Sequence, residues 1–204
     1  MDIEVFRHSS IKLVGSKTIY FDPYQISDDY HDANYIFITH DHYDHYDEKS
    51  IKKIMTKDTT IIAPACLREK ISTITNNILI VEPEKTYYLA DMTIKTIPAY
   101  NINTNFHPKE KSYVGYNVLI DNQWYYIMGD TSKTKEALTV ITDICFVPIG
   151  GIYTMDVVEA ASYINTIKPQ TAIPIHYGDI VGEKHLAEDF KRLIDKEIKV
   201  DILI

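Results

Sequence analysis

Hydrophobic and polar positions alternate over short blocks in the first part of the chain, and turn residues separate the blocks, which is typical of β-strands. The first three strand-like blocks, of which the first could form a bent hairpin, are "IEVFRHSSIKLVG", "KTIYFDP" and "NYIFI". Helical spacing follows in "DEKSIKKIMTK", where Ile51, Ile54 and Met55 fall on one side. The pattern then predicts a strand, a helix and three more strands in "TIIAPA", "CLREKISTI", "NILIVE", "KTYYLA" and "MTIKTIPA".

The second half of the chain repeats this alternation. It begins with a hairpin signal, in which "YVGYNVLID" is followed closely by "QWYYIMGD". Strands and helices then alternate in "DICFVPIG", "TMDVVEAASYINTIKP", "TAIPIHYG", "GEKHLAEDFKRLIDKE" and "KVDILI". The last of these helices is expected to turn Leu186, Phe190, Leu193 and Ile194 inward.

The order of these elements predicts the fold class. Strands dominate first and then alternate with helices in each half, which favours two mixed β-sheets with helices outside them, a layered α/β sandwich. A chain of 204 residues suits one domain with a sizeable core, so we expect a single domain over residues 1–204.

Acidic residues or histidines follow directly after four of the apolar strands. The four strand ends are "YFDP", "FITHDHYDH", "IMGDT" and "IPIHYG". Functional sites in layered α/β proteins gather at strand ends, because the loops there converge on one edge of the sheets. We therefore expect these four segments to line a shared pocket.

Composition narrows the classes of partner. The net charge of −8 and the scattered lysines argue against nucleic acid, whose binding proteins usually carry a basic stripe. Two cysteines are too few for a disulfide framework. No signal-peptide pattern and no membrane-length apolar run is visible. We expect a cytoplasmic protein that acts on a small molecule without membrane contact, and a homo-oligomer remains open.

The densest chemistry of the chain lies in "ITHDHYDHYD". Residues i and i+2 of an extended segment face the same way, so His40 and His42 can aim at one point. If the chain then bends, Asp44 and His45 can project together into a neighbouring position. This spacing suits two adjacent metal sites, and nitrogen and carboxylate ligands without thiolate favour Zn²⁺, with Mn²⁺ or Fe²⁺ as alternatives.

"THDHYDH" resembles the T-H-x-H-x-D-H signature of the metallo-β-lactamase-fold metal-dependent hydrolase superfamily. Three further motifs match that superfamily in the same order, through Asp22 in "YFDP", Asp130 in "IMGDT" and His176 in "IPIHYG". The resemblance implies a four-layer αββα sandwich. Within the superfamily the chain resembles the ascorbate-phosphate-lactonase-like branch in "RHSSIKL", "IPAYN" and "VPIGGIYTMDVVEA".

The resemblance also implies roles for individual residues. The implied metal ligands are His40, His42, Asp44, His45, Asp130 and His176, with Asp130 bridging two metals. One or two Zn²⁺ per chain would lower the pKa of bound water from about 15.7 to near 7. Asp44 is the candidate catalytic group that holds or accepts a proton from this water. Asp22 is expected to orient a ligand imidazole, although it could simply be a turn residue before Pro23.

One expected ligand is missing. The superfamily usually completes its first metal site with a histidine in a "PAxH" stretch, but here Asn101 stands at that place and His107 follows six residues later. His107 could bend back to become the third ligand of the site that holds His40 and His42. Alternatively, those two histidines bind metal with Asp130 and water alone, in a weaker or empty site. In a third interpretation Asn101 coordinates through its amide oxygen.

Three residues are candidate substrate contacts: His8, Asn101 and Tyr153. The resemblance places His8 near the pocket, although a lone histidine on a strand is more often structural. Gly150 and Gly151 would let the backbone approach a ligand that Tyr153 or Thr154 could touch. Thr154 is alternatively the N-cap of the following helix.

These observations predict a metal-dependent hydrolase, of the lactonase, esterase or phosphodiesterase type. Its substrate would be a small lactone, other ester or phosphodiester attacked by metal-bound hydroxide. The alternative is a non-catalytic metal-binding or ligand-sensing module of the same fold that has lost one metal site. The substitution at Asn101 keeps this alternative open.

Overall fold

The computed structural model describes residues 1–204 and divides the chain into two compact units, unit 1 (Met1–Glu82) and unit 2 (Pro83–Ile204). Each unit contains one mixed β-sheet flanked by helices, so the predicted α/β class with two mixed sheets is confirmed. That residues 1–204 form a single domain stays a prediction. No helix in either unit combines the length and the hydropathy that a bilayer span requires.

Unit 1 is built on a six-stranded sheet whose strands follow chain order. The strands are β1 (Asp2–Arg7), β2 (Ser10–Val14), β3 (Thr18–Phe21), β4 (Ala33–Phe37), β5 (Met55–Pro64) and β6 (Ile78–Val81). The helices are α1 (Glu48–Ile54) and α2 (Arg68–Ser72). Strands β1 to β3 pair antiparallel, which confirms the predicted hairpin, whereas β3 to β6 pair parallel.

The helices of unit 1 pack on one face of its sheet. Ile36 of β4 and Ile61 of β5 share a buried cluster with Ile51 and Ile54 of α1 and Ile71 of α2. All five of these side chains are fully buried. The helical spacing of Ile51 and Ile54 in α1 therefore places both side chains in the core, as the sequence predicts.

Helix α1 is shorter than the sequence predicts. It begins after Asp47, whose side chain accepts the Lys49 N–H at 3.1 Å, and it ends at Ile54. The expectation that Met55 lies on the helix face is wrong, because Met55 has extended dihedrals and pairs with Ala33 of β4. Strand pairing across the sheet thus ends the helix before its apolar pattern ends.

Unit 2 is built on a seven-stranded sheet of order β13-β12-β11-β10-β9-β8-β7. The strands are β7 (Thr86–Leu89), β8 (Met92–Pro98), β9 (Val114–Ile120), β10 (Gln123–Ile127), β11 (Ile144–Pro148), β12 (Thr171–Ile175) and β13 (Lys199–Val200). The helices are α3 (Val157–Ile167) and α4 (Leu186–Leu193). Strands β7 to β10 pair antiparallel and β10 to β13 pair parallel.

The two helices of unit 2 share a core with its sheet, and two details of the predicted ends are wrong. Tyr163 of α3 and Phe190 of α4 are fully buried in this core. The N-cap of α3 is not Thr154 but Asp156, whose carboxylate accepts the Glu159 N–H at 2.8 Å. Leu193 is 47 % exposed because α4 ends at this residue and the chain turns away.

A close backbone approach between β9 and β10 makes Gly115 a sensitive position. A Cβ atom at Gly115 would lie 2.6 Å from the Met128 carbonyl oxygen. We predict that Gly115→Ala destabilises the protein by about 1–3 kcal/mol, because backbone atoms must shift. Thermal unfolding by circular dichroism measures this loss. Gly15→Ala, in an exposed turn outside the left-handed region, is the matched control, and equal unfolding temperatures for both variants would contradict the prediction.

Candidate functional site

Four of the predicted site residues occupy the left-handed backbone region. The φ values are 58° at His8, 43° at Asp22, 51° at His107 and 59° at His176. Asp22 directly follows β3 and His176 directly follows β12, so each strand ends in a sharp turn at the residue that carries the chemistry. Such conformations are costly for residues other than glycine, and they concentrate at functional sites.

The predicted residues of unit 1 form a compact group, the unit 1 cluster. Its members are the predicted residues His8, Asp22, His40, His42, Asp44 and His45, together with Thr39, which was not predicted. Most are buried, and His42 is partly exposed. The segment that carries five of them leaves β4, turns through hydrogen bonds from the His45 and Tyr46 N–H groups to the His42 carbonyl, and enters α1. The bend after His42, which would let Asp44 and His45 project together, is therefore present.

The buried carboxylate of Asp22 organises this cluster. One oxygen accepts the Thr39 N–H at 2.8 Å, and the other accepts the Thr39 hydroxyl at 2.7 Å and His45 Nδ1–H at 2.8 Å. Since the hydroxyl hydrogen is used on Asp22, Thr39 Oγ1 accepts from His40 Nδ1–H at 2.9 Å. Both imidazoles are thereby held in the tautomer that leaves the Nε2 lone pair available for a metal ion.

Ligand atoms in the unit 1 cluster are close enough to share a cation. Asp44 Oδ2 lies 3.2 Å from His8 Nε2 and 3.8 Å from His45 Nε2, and all three residues offer ligand atoms within 4.8 Å of one another. The His40 ring centroid lies 4.0 Å from that of His45 and 4.6 Å from that of His42. Donors bound to zinc at about 2.1 Å lie roughly 3–4 Å apart, so the spacing and chemistry of these groups fit a metal ion.

The predicted residues of unit 2 form a second group, the unit 2 cluster, of Asn101, His107, Asp130, Tyr153 and His176. Asp130 follows β10 after Gly129, whose φ is 67°. Its Oδ2 atom lies 3.3 Å from His107 Nε2 and 3.1 Å from His176 Nε2. These three side chains are at least 96 % buried. Two imidazoles thus converge on one carboxylate oxygen, as metal ligands would.

Asn101 joins two loops of unit 2. Its side-chain Nδ2 donates to the Tyr153 carbonyl at 2.7 Å and lies 3.2 Å from both His107 Nδ1 and Thr104 Oγ1. Its backbone N–H donates to the His107 carbonyl at 3.1 Å. Asn101 therefore closes the loop of residues 101–107 on itself and ties it to the loop of residues 150–155.

A charged contact anchors the far end of the first loop. Lys109 Nζ and the Tyr100 hydroxyl donate to the Glu136 carboxylate at 2.7 and 2.8 Å. Burial by itself raises the pKa of Glu136, but these hydrogen bonds and the Lys109 charge lower that pKa to about 2. The carboxylate therefore stays ionised at neutral pH, and both ends of the loop are fixed to the body of unit 2.

Gly150 has a structural role that the sequence did not predict. A Cβ atom there would lie 2.4 Å from the His176 carbonyl oxygen and 3.3 Å from His176 Nδ1. The glycine lets the backbone pass close to a predicted metal ligand, and the predicted approach to a small-molecule ligand stays a prediction. The sequence also gave no role to Thr39, although its place just before "HDH" was a usable signal.

Two cavities open on unit 2. The larger, of about 790 Å³, includes Lys85, Lys95 and Asn117 in its walls and none of the predicted site residues. The smaller, of about 560 Å³, is lined by the loop that carries Asn101 and Ile102. The buried histidines and aspartates locate the candidate site, because the volume of a cavity carries no information about reactive groups.

Comparison with known proteins agrees with this geometry. A family model described as the β-lactamase superfamily domain matches residues 2–176. A UPF0173 metal-dependent hydrolase of Staphylothermus marinus is 30 % identical, with 99 % of this chain and 94 % of that protein covered. A UPF0173 metal-dependent hydrolase of Pyrococcus abyssi is 27 % identical, with 98 % and 95 % covered.

Solved structures share the same fold. A candidate metal-dependent hydrolase from Parabacteroides distasonis has a TM-score of 0.82 at 30 % identity, over 98 % of this chain and 91 % of that one. Igni18, a metallo hydrolase from Ignicoccus hospitalis, has a TM-score of 0.78 at 18 % identity, over 98 % and 93 %. The second likeness concerns the fold alone. With the family model covering most of its length, the chain belongs to the metal-dependent hydrolases of the metallo-β-lactamase fold.

Proposed function

We propose that this chain hydrolyses a small ester, lactone or phosphodiester by means of Zn²⁺, or else Mn²⁺ or Fe²⁺, held by its predicted histidines and aspartates. The observation that carries the proposal is the hydrogen bonding of Asp22 and Thr39, which places the ring protons of His40 and His45 on Nδ1, so that Nε2 carries the lone pair that a metal ligand needs. When bound, the metal supplies Lewis-acid chemistry and lowers the pKa of bound water from about 15.7 to near 7.

The proposed ligands divide into two sets. His40 and His42 belong to the first metal, Asp44, His45 and His176 belong to the second, and Asp130 is shared. The resemblance implies this division, and the matching family model spans all six residues. The convergence of His107 and His176 on Asp130 Oδ2 supports it independently.

Asp44 is the proposed proton acceptor of the site. Its Oδ2 atom lies 3.2 Å from His8 Nε2, and the side chain of His8 is fully buried. The buried His8 ring thus positions the Asp44 carboxylate, which would bind the metal or accept a proton. In this proposal His8 positions Asp44 and does not itself contact the substrate.

His107 is the proposed third histidine of the first metal. The Asn101 contacts favour this interpretation over coordination by Asn101, because its amide nitrogen faces three protein acceptors and its oxygen lies 3.4 Å from Ser132 Oγ. A metal can bind His107 Nε2 only when the ring proton is on Nδ1. The Asn101 amide nitrogen, which is itself a donor, lies 3.2 Å from this Nδ1 atom and disfavours a proton there. The Tyr153 carbonyl, 2.7 Å from that nitrogen, opposes rotation of the amide, so we propose that the first site is the weaker one.

Metal content tests the assignment of His107. We predict two metal ions per chain in the wild type after reconstitution, and a fall toward one in His107→Ala, measured by elemental analysis after dialysis. His185→Ala removes a histidine whose side chain is 66 % exposed, and it should keep both ions. One ion in all three proteins would show that the first site is lost. No ion after reconstitution with zinc and manganese would overturn the proposed function.

The role of Asp130 in turnover gives a second test. We predict that Asp130→Asn lowers kcat/KM on p-nitrophenyl acetate, a γ-lactone and bis(p-nitrophenyl) phosphate by roughly 10²–10³-fold, because a charge that stabilises the metal centre is lost. Far-UV circular dichroism should remain unchanged. Asp121→Asn removes the same charge at an exposed turn between β9 and β10 and serves as control. Full activity of Asp130→Asn would disprove the assignment.

The Thr39 hydroxyl gives a third test, which separates orientation from ligation. We predict that Thr39→Val weakens metal binding by about 10- to 100-fold, because His40 Nδ1–H and Asp22 both lose a partner. Thr39→Ser keeps the hydroxyl and should restore most of the affinity. Competition with a chromophoric chelator measures both. Equal affinities for valine and serine at this position would show that the hydroxyl does not hold His40.

A further inference from the structure

Exposed apolar side chains concentrate on the two loops that Asn101 joins. Ile102 is 56 % exposed, Phe106 47 % and Ile152 61 %, and the ring of Tyr153 is half-buried. The rings of Phe106 and Tyr153 pack edge to face, with centroids 4.7 Å apart and an interplanar angle of 84°. We call Ile102, Phe106, Ile152 and Tyr153 the apolar rim.

The apolar rim is connected directly to the proposed metal ligands of unit 2. Phe106 precedes His107 in the chain, and the Asn101 amide that contacts His107 Nδ1 also holds the Tyr153 carbonyl. His107 Nε2 in turn lies 3.3 Å from Asp130 Oδ2. Because the Asn101 amide binds both loops, the aromatic pair has a fixed place beside these ligands.

The two segments that carry the apolar rim contain no Lys, Arg, Asp or Glu, and Lys109, which follows the first of them in the same loop, is paired with Glu136 at 2.7 Å. Residues 98–107 read "PAYNINTNFH" and residues 148–155 read "PIGGIYTM", in a chain whose residues are 25 % charged. An anionic substrate group, such as a phosphodiester, usually meets Arg or Lys. Large exposed apolar side chains on segments without Lys or Arg instead suit an uncharged apolar group.

We propose that the apolar rim binds the alkyl or aryl group of an uncharged substrate, so that the enzyme acts on carboxylic esters or lactones with an apolar chain rather than on phosphodiesters. This inference rests on the proposed function and selects among its substrate classes. Burying one methylene group is worth up to about a fourfold gain in binding. A rim that is half open to solvent should give about twofold to threefold per methylene.

A series of esters tests the proposal on the metal-loaded full chain. We expect kcat/KM to rise about tenfold or more from p-nitrophenyl acetate to butyrate and hexanoate, and bis(p-nitrophenyl) phosphate to be a poor substrate. Phe106→Ala should flatten the series mainly through KM, and Phe106→Leu should restore most of it. Ile141→Ala truncates an isoleucine that is 85 % exposed outside the rim and should leave the series unchanged. Ile152→Ala is a second rim variant that tests the proposal if Phe106→Ala does not fold.

Failure of this proposal differs from failure of the proposed function. Ester hydrolysis that is flat along the series, or a preference for the phosphodiester, would overturn the rim assignment and leave the hydrolase intact. Ester hydrolysis at the wild-type rate in Asp130→Asn would overturn the proposed function itself. If no ester turns over, calorimetric titration with sodium octanoate and sodium acetate decides: tighter octanoate binding that Phe106→Ala weakens supports the rim, and equal binding overturns it.

Discussion

The Asp22 carboxylate is the constraint on which the arrangement of the unit 1 cluster depends. Its side chain is fully buried, and a buried carboxylate is stable only when hydrogen bonds satisfy it. Thr39 supplies two of these bonds and His45 the third, so the ends of β3 and β4 and the turn before α1 are fixed together. The left-handed φ of 43° at Asp22 follows from this placement, since the turn after β3 must direct the carboxylate toward the neighbouring strand. These hydrogen bonds thus fix the relative positions of the candidate metal ligands in unit 1.

Much of the fold was predictable from the sequence because each strand carries its own apolar pattern and ends at a chemically distinct residue. The two mixed sheets and the hairpins required no more than that. The ends of the helices and strands were harder to predict. Met55 lies on the apolar side of a helical pattern, yet it extends to pair with Ala33, and Leu193 lies on the apolar side of α4 but is exposed at its end. In both cases the pairing or the end of an element outweighed the local periodicity.

The unit 1 cluster could be predicted from the sequence more fully than the unit 2 cluster. "THDHYDH" is contiguous, so its histidines and aspartate could be identified from spacing alone. The contacts of Asn101 could not, because its partner Tyr153 is 52 positions away and the bond goes to a backbone carbonyl, which any residue could offer. Asn101 appeared in the sequence only as a missing ligand. In the structure it is the residue that holds His107 and both loops in place.

This difference indicates that one set of residues would carry out the reaction and another would select the substrate. The residues that would handle metal and protons sit at strand ends and in a hydrogen-bonded turn, where neighbouring strands fix them and substitution disturbs several contacts at once. The apolar rim lies on loops, where Ile102 and Ile152 can change without loss of a buried contact. A shared set of ligands therefore does not imply a shared substrate, since chains with the same histidines can carry a different rim. For this chain, the exposed apolar side chains of the rim say more about the substrate than the histidine and aspartate motif does.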